Sequence, residues 1–275
     1  ALPISQQGIG APTGPDAQPR EAFGGADEQA QLQVVQDLIT RRVAGIAVSP
    51  ANAPAMARIV KMANTAKIPL LTWDSDFLTA DKALRATYIG TKNYDMGAAM
   101  AKELLRLKPE GGTLVIQSGG AAAANLNERI EGIRDTLKGH PWKELDGTPL
   151  YDNGDPMLAV KQMEDTLSKT PTLDAFMPIA IGAQLNQNAY RSIVKKVLDR
   201  VKERKLVIIA SDTLPMQREI VRDGLGHALV GQRPYQMGYL AISTLKEITE
   251  GKSVPDPIHT GLDVCTQENI ATCGQ

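Results

Sequence analysis

The feature that most constrains the fold is a regular alternation between short, continuously apolar runs and segments of helical period. Runs such as 45–48, 113–116 and 206–209 consist mostly of aliphatic residues. Strands that are apolar on both faces are typical of parallel sheets covered by helices on each side. The stretches between the runs carry apolar residues three and four positions apart, as amphipathic helices do. The sequence therefore predicts the α/β class with doubly wound parallel sheets.

The number of helix–strand steps predicts two similar sheets, because one sheet of about five or six strands would not use them all. Asn52 and Asp155 are predicted helix N-caps, each followed closely by a proline. One helix is predicted through Val194 and Val197. The first 25 residues are rich in glycine and proline and have no apolar period, so we expect a loop with one short strand near Ile9.

Composition and charge exclude several classes of protein. Lys and Arg number 30 against 31 Asp and Glu, so no global positive field favours nucleic acid as a partner. No apolar stretch approaches the roughly 18 residues that a membrane-spanning helix needs. The chain starts without Met or a basic-then-apolar leader, and we expect any export signal to have been removed already.

Two cysteines, Cys265 and Cys273, lie close together near the end of the chain. With no third or fourth cysteine available, a zinc knuckle is excluded. We interpret the pair as a disulfide, which favours an exported protein because disulfides persist mainly in oxidising compartments. The alternative is a pair of free thiols in a cytosolic protein.

Polar side chains follow three of the predicted strands. Asp74 and Asp76 come after the run 70–73, Asp212 after 207–211, and Gln232 after 228–231. Ligands of open parallel sheets bind beyond the carboxyl ends of the strands, and carboxylates with a carboxamide suit the hydroxyls of a sugar or polyol. The alternative for each aspartate is that it caps the next helix.

Three aromatic residues, Trp73, Phe77 and Tyr235, either form an apolar wall for a sugar ring or belong to the core.

Enzyme motifs are absent from the sequence. His140, His227 and His259 are far apart and beside no nucleophile, and neither a Gly-x-Ser-x-Gly elbow nor a phosphate-binding loop occurs. No spacing suits a metal site. We therefore predict no catalytic residues, no cofactor and no metal.

Taken in order, several segments resemble the type I, ribose-binding-like class of periplasmic sugar-binding proteins, the receptors of ABC importers. The resemblance covers residues 26–275. The matching segments are QVVQDLI (33–39), GIAVSP (45–50), IPLLTWDSD (68–76), YIGT (88–91) with Asn93 and Gly97, NER (127–129) with Gly132, YDNGD (151–155), SDTLP (211–215) and GQRPYQMG (231–238).

This resemblance implies a periplasmic monomer that closes two lobes on a sugar and delivers it to a membrane permease. The lobes would be 1–91 with 233–260 and 92–232 with 261–275, joined by three hinge segments. It further implies that Asp74 and Asp212 accept hydrogen bonds from the sugar, that Arg129 donates, and that Gln232 bonds the sugar beside a hinge.

The sequence departs from the family pattern in two places. Residues 1–25 lack the usual first strand and its ligand-contacting loop, so the first strand is missing or replaced. After the strand 175–177 stands Pro178-Ile179-Ala180, and the ligand would meet Ile179 and Ala180 there instead of a polar side chain. That segment, with Thr72-Trp73-Asp74, is similar to the branch that binds the furanosyl autoinducer, in which Asn125 would stand near an expected aspartate.

Other functions on the same fold stay open from the sequence. One alternative is an autoinducer receptor, and a second is a sugar sensor that presents its ligand to a membrane kinase. A repressor would need a helix-turn-helix in front, which the segment rich in glycine and proline does not provide.

Overall fold

The computed structural model describes residues 7–11, 20–23 and 28–274. The chain forms two compact units, each considered by itself: the first holds residues up to Lys92, Ala122–Asn125 and Arg233–Gly261, and the second Asn93–Ala121, Leu126–Gln232 and the residues from Leu262 onward. The sequence predicts lobes of 1–91 with 233–260 and of 92–232 with 261–275. The position of the hinge stays a prediction.

The elements alternate along the chain as the apolar pattern predicts. The strands are β1 (Gln7–Ala11), β2 (Arg20–Phe23), β3 (Gly45–Val48), β4 (Leu70–Trp73), β5 (Tyr88–Gly90), β6 (Gly112–Ser118), β7 (Trp142–Glu144), β8 (Leu150–Tyr151), β9 (Ala175–Pro178), β10 (Val207–Ser211), β11 (Ala228–Gly231), β12 (Ile258–His259) and β13 (Asp263–Thr266). The helices are α1 (Glu28–Thr40), α2 (Ala53–Thr65), α3 (Asn93–Leu107), α4 (Ala124–Leu137), α5 (Pro156–Lys169), α6 (Gln187–Lys195), α7 (Leu198–Lys202), α8 (Pro215–Arg222) and α9 (Pro234–Thr249), with short 3-10 helices at Thr79–Leu84 and Gly182–Leu185.

The first unit is built on a six-stranded sheet in the order β12-β5-β4-β3-β1-β2. Strands β3, β4, β5 and β12 are parallel to one another, whereas β1 runs antiparallel to both β3 and β2. One core cluster packs Leu38, Met56 and Leu70 on one face, and another packs Leu71, Trp73 and Leu245 on the opposite face. Helices cover both faces, as in a doubly wound sheet.

The second unit is built on a seven-stranded sheet in the order β13-β11-β10-β9-β6-β7, with β8 also paired to β6. All pairs are parallel except β11 with β13. Its larger core cluster includes Val115, Phe176 and Ile208. Two sheets of the predicted α/β type are therefore confirmed.

The predicted helix caps at Asn52 and Asp155 are confirmed. The Asn52 side chain accepts a hydrogen bond from the Ala55 N–H at 3.1 Å, and the Asp155 carboxylate accepts one from the Met157 N–H at 2.8 Å. In both helices a proline occupies the first turn, where no intrahelical N–H is needed.

Two sequence predictions about elements need correction. The helix expected through Val194 and Val197 is two helices, α6 and α7, and Val197 lies between them. Val194 and Val201 both belong to the same core cluster, and Val197 packs against it. The N-terminal stretch contains β2 as well as the strand expected near Ile9. The residues of β2 carry no apolar signal, and they form a strand because they pair with β1.

Candidate functional site

In the first unit, Asp74 follows directly on strand β4. Its backbone N–H donates to the Ile89 carbonyl at 2.9 Å, and its own carbonyl accepts from the Tyr88 hydroxyl at 2.9 Å. The Ser49 hydroxyl, just beyond β3, donates to Asp74 Oδ2 at 3.0 Å. The carboxylate is buried, with 5% of the residue exposed. Two neighbouring strand ends thus fix its position.

Asp76, two residues further on, is engaged by partners of its own. Arg85 donates from Nε to Asp76 Oδ1 at 2.6 Å and from Nη2 to Oδ2 at 2.7 Å, and the Thr72 hydroxyl adds a bond of 2.6 Å. A forked pair of this kind is strong and directional. The idea that Asp76 contacts a ligand stays a prediction, and these bonds give Asp76 a role in fixing the loop that carries Asp74.

The three aromatic residues lie in different surroundings. Trp73 is fully buried in the core cluster with Leu71, Ile89 and Leu245, and Phe77 is buried in the cluster on the other face of the sheet. Tyr235 is 81% exposed. The core role that we considered for Trp73 and Phe77 therefore describes their packing, whereas contact between Trp73 and a ligand stays a prediction.

In the second unit, Arg129 lies on helix α4 and is only 2% exposed. Its Nε donates to Asn93 Oδ1 at 2.9 Å and its Nη1 donates to the Ile179 carbonyl at 2.9 Å. The third nitrogen, Nη2, makes no hydrogen bond within the described ranges. A buried guanidinium with a remaining donor suits a ligand that brings acceptors.

Close approach of helices α3 and α4 explains why Arg129 reaches Asn93. A methyl group on Gly97 would collide with the Arg129 carbonyl oxygen, and one on Gly132 would collide with the Tyr94 carbonyl oxygen. Only glycine permits this spacing at both positions. Gly97 and Gly132, which carry part of the resemblance, therefore place the guanidinium at its hydrogen-bond partners.

The segment after β9 presents backbone in place of polar side chains. The Ile179 side chain is fully buried, its N–H donates to the Gln117 carbonyl at 2.8 Å, and its carbonyl is the group that meets Arg129. Ala180 is partly exposed. Asn125 is also partly exposed and lies in the first turn of α4. Ligand contact by these residues stays a prediction.

Asp212 and Gln232 follow the neighbouring strands β10 and β11 and meet each other. Gln232 Nε2 donates to Asp212 Oδ1 at 2.9 Å, and the Asp212 N–H donates to the Val230 carbonyl at 2.8 Å. The remaining amide oxygen, Gln232 Oε1, is buried with no hydrogen-bond partner. An unpartnered buried acceptor marks a position where a donor from outside the chain, such as a hydroxyl, would be stabilised.

Asp74 and Asp212 share an unusual backbone conformation. Their φ angles are +60° and +70°, in the left-handed region that non-glycine residues seldom adopt. Aspartate is among the side chains that tolerate this conformation best, but the cost is still of order 1 kcal/mol or more. Such positions cluster at functional sites. Each unit thus carries one strained aspartate directly after a parallel strand.

Sequence reasoning missed two residues that shape these strand ends. Arg85 joins Asp76 to Asp256, a residue far along the chain, with Nη1 donating to Asp256 Oδ1 at 2.7 Å. Asp152, after β8, is buried and has one carboxylate oxygen without a partner. The only sequence signal was indirect, since Asp152 lies in the YDNGD segment of the resemblance.

The predicted disulfide is confirmed: Cys265 and Cys273 are bonded, with Cα atoms 5.5 Å apart.

Within the described ranges no group of three or more His, Cys, Asp or Glu residues could hold a metal ion, and no helix has the length and apolar character to cross a bilayer. A cavity of about 250 Å³ in the second unit has Arg106, Lys202 and Glu268 in its lining and includes none of the predicted site residues.

Comparison with known proteins identifies relatives of this chain. The chain is 26% identical over 225 residues to the ribose import binding protein of Escherichia coli. The aligned residues are 82% of this chain and 72% of that relative. It is 25% identical over 236 residues to the D-allose-binding periplasmic protein of the same organism, covering 83% of this chain and 73% of the relative.

Solved structures agree with these relatives. An ABC transporter solute-binding protein from Burkholderia graminis in complex with D-arabinose is 31% identical, with a TM-score of 0.79 over 90% of this chain and 83% of that one. A second one, from Agrobacterium vitis with bound D-fucose, is 26% identical, with a TM-score of 0.82 over 90% and 82% of the two chains. The model of the periplasmic binding protein domain family matches residues 15–253. This chain therefore belongs to the periplasmic binding protein domain family.

Proposed function

We propose that this protein captures a monosaccharide or a related polyol in the periplasm and delivers it to the permease of an ABC importer. The observation that carries the proposal is the pair of strained aspartates, Asp74 and Asp212, each of which follows a parallel strand. Carboxylates accept hydrogen bonds from vicinal hydroxyls, and backbone strain is retained where function requires it. The D-arabinose and D-fucose in the solved relatives support a small sugar as the ligand.

Four residues are assigned to the sugar. Asp74 and Asp212 accept hydrogen bonds from hydroxyls, Arg129 Nη2 donates one, and Gln232 Oε1 accepts one. Ser49 already holds Asp74, Asn93 and the Ile179 carbonyl hold Arg129, and Gln232 bonds to Asp212. Groups fixed before binding lose less entropy when the ligand arrives, so this set favours affinity without further ordering.

Asn125, Ile179 and Ala180 are assigned to further contacts with the ligand, through the amide of Asn125, the backbone of Ile179 and the methyl group of Ala180. Trp73 and Asp76 are assigned supporting roles instead, because Trp73 is packed in the core and Asp76 is paired with Arg85. No chemical step is assigned to any residue, since a transport receptor releases its ligand unchanged. The disulfide agrees with a periplasmic location.

A thermal-shift and calorimetry panel of D-arabinose, D-fucose, D-ribose, D-allose, myo-inositol and the furanosyl autoinducer tests the proposal. A ligand that binds only the folded state raises Tm. We expect one monosaccharide or polyol to bind saturably and to be recovered unchanged. Failure of every sugar and polyol would refute the proposal, and binding of the autoinducer alone would replace it with the receptor function.

Variants then test the assigned residues. We expect Asp74→Ala and Arg129→Ala each to weaken binding of that sugar by at least about tenfold, since each leaves a hydrogen-bonding group of the complex unpaired. Arg134→Ala is the matched control, because Arg134 lies on the same helix α4 but is half exposed and pairs with Glu144. A change below about threefold in either variant would remove that residue from the site.

A further inference from the structure

A buried carboxylate and a buried amide in the second unit each have an oxygen near Gly182 that receives no hydrogen bond. Asp152 is 2% exposed; its Oδ1 accepts from the Gly154 N–H at 2.8 Å, whereas its Oδ2 has no hydrogen-bond partner. Gln117 Oε1 is likewise buried and unpartnered. A methyl group on the Gly182 α-carbon would lie 3.2 Å from Gln117 Oε1 and 3.3 Å from Asp152 Oδ2. Both acceptors therefore lie close to one position beside Gly182.

The orientation of the Gln117 amide is fixed by other bonds. Its Nε2 donates to the Ala159 carbonyl at 2.8 Å and to Gln162 Oε1 at 3.1 Å. Turning the amide over would place its oxygen against both of those acceptors. Gln117 thus cannot supply the missing donor, and an unmet buried acceptor is costly. A carboxyl group supplies a donor when it carries a proton.

We infer that Asp152 holds a proton that it donates towards Gln117 Oε1, and that this makes it a positioning residue for the sugar-binding segment Ile179–Ala180. Gly182, beside the two oxygens, lies two residues beyond Ala180. On the other side, a methyl group on Gly119 would lie 3.8 Å from Ala180 Cβ and 4.0 Å from Asp152 Oδ1. Asp152 is thus packed among the backbone that surrounds the segment. The sugar-binding part of this inference rests on the proposed function.

The surroundings of Asp152 favour the protonated form. Burial raises the pKa of Asp152 to about 6; the bond from Gly154 opposes the rise, and the Asp155 carboxylate adds to it. The groups placed near the Asp152 carboxylate from β6 and the segments after β6 and β9 are Gln117, Gly119 and Gly182, which are uncharged, and the charged group that acts on it is the Asp155 carboxylate at the N-cap of α5. Because the pKa is higher in the folded state than in the unfolded state, this carboxyl stabilises the fold as pH falls from about 6 towards 4.

Thermal unfolding of the wild type and of Asp152→Asn between pH 4.5 and 8, without sugar, tests the proton. The amide of the variant keeps a donor at every pH, and all other titrating groups are common to both proteins. We expect the wild type to have a Tm lower than that of the variant by roughly 5 °C at pH 8 and by about half as much at pH 5, because the unfolded carboxyl is still mostly ionised at pH 5. Parallel curves would overturn the inference, since they are the result expected if a water donates to both oxygens and Asp152 stays ionised.

The carboxyl carbon of Asp152, followed by NMR, gives an independent readout that holds even if the variant folds poorly. We expect it to titrate near pH 6, and titration near the ordinary value of 3.8 would overturn the inference. Asp155→Asn is the control variant: it removes the nearby charge and keeps an oxygen for the N-cap, so the fall in Tm at high pH should remain.

Affinity for D-arabinose at pH 5 and pH 8 tests the positioning role. We expect the affinity of the wild type to fall at least threefold more than that of Asp152→Asn. Equal pH dependence in the two proteins would refute the positioning role. If D-arabinose and every other sugar of the panel fail to bind at both pH values, the proposed function fails, while the Tm curves and the carboxyl titration still decide whether Asp152 holds the proton.

Discussion

The two units bury polar groups at their strand ends by different chemistry. In the first, Arg85 is an ionic hub whose forked bonds hold Asp76 and whose third nitrogen holds Asp256. In the second, Gln217 is a neutral hub: its Nε2 donates to Gln184 Oε1 and to the Ser211 carbonyl, both at 2.7 Å. Both hubs are buried.

This difference predicts how much stability each unit loses when its hub residue is replaced. A buried ion pair is costly to break because the remaining charge stays desolvated, whereas a buried amide leaves only neutral groups unpaired. Burial lowers the pKa of Arg85, but the bonds to Asp76 and Asp256 outweigh it and raise that pKa overall. The first unit should therefore fail sharply when its hub is removed, and the second should lose stability by smaller steps.

The largest effect is expected for Arg85→Leu. Removing the guanidinium leaves the buried Asp76 carboxylate with the Thr72 hydroxyl and the more distant Lys82 ammonium, at 3.8 Å, and we expect a loss of about 3 kcal/mol in the free energy of unfolding. Urea unfolding measures it. The double variant Arg85→Leu with Asp76→Leu, which removes both charges, should recover part of the loss. A loss below about 1 kcal/mol in Arg85→Leu would erase the contrast between the hubs.

Gln217→Leu is expected to cost less, about 1–3 kcal/mol, since Gln184, Ser211 and the Leu214 N–H each lose a neutral partner. The same urea experiment measures it. Gln217→Glu sharpens the comparison, because a carboxylate would face the Gln184 and Ser211 oxygens at neutral pH. We expect Gln217→Glu to be the more destabilising of the two at pH 7 and to recover on acidification. If Gln217→Leu costs more than Arg85→Leu, the comparison is wrong.

A smaller effect is expected at Asp256. Burial raises its pKa, but bonds from Arg85, the Tyr88 N–H and the Thr87 hydroxyl lower it below the usual value of 3.8. A folded-state pKa below the unfolded value gives stability that is present above about pH 4 and is lost as pH falls further. Because the side chain is 45% exposed, we expect Asp256→Asn to cost no more than about 1 kcal/mol at pH 6. The difference from wild type should disappear near pH 2, and a constant difference would contradict the prediction.

Local signals explain how much of the fold could be predicted from the sequence. The apolar runs at β3, β4, β10 and β11 and the caps Asn52 and Asp155 are properties of a few adjacent residues, so they can be recognised without tertiary information. Strands such as β7 and β12 are too short and too polar for this. They form because a neighbouring strand offers unpaired backbone groups.

The residues of the candidate site also differ in whether the sequence alone predicts them. Asp74, Asp212 and Gln232 follow apolar runs and are predictable from topology, since the carboxyl ends of parallel strands are where ligands bind. Arg129 required the resemblance, because its burial depends on two glycines that let helices α3 and α4 touch. Arg85 and Asp152 escaped both routes. Asp256, which bonds to Arg85, and Gln117, which lies near Asp152, are both remote in the sequence, and no local pattern reports such proximity.

The smallest effect is expected at a charge pair outside both hubs. Arg134 donates to Glu144 through Nε and Nη2, both at 2.8 Å, with geometry much like that of Arg85 on Asp76, but half of its side chain is exposed. Solvent screens an exposed pair and solvates the remaining carboxylate after mutation, so Arg134→Leu should cost at most about 1 kcal/mol. Measured beside Arg85→Leu, it keeps the forked geometry and changes the burial, apart from the additional bond that Arg85 makes to Asp256. Equal losses in the two variants would show that geometry, not burial, sets the cost, and the distinction between the units would then rest on hydrogen-bond number.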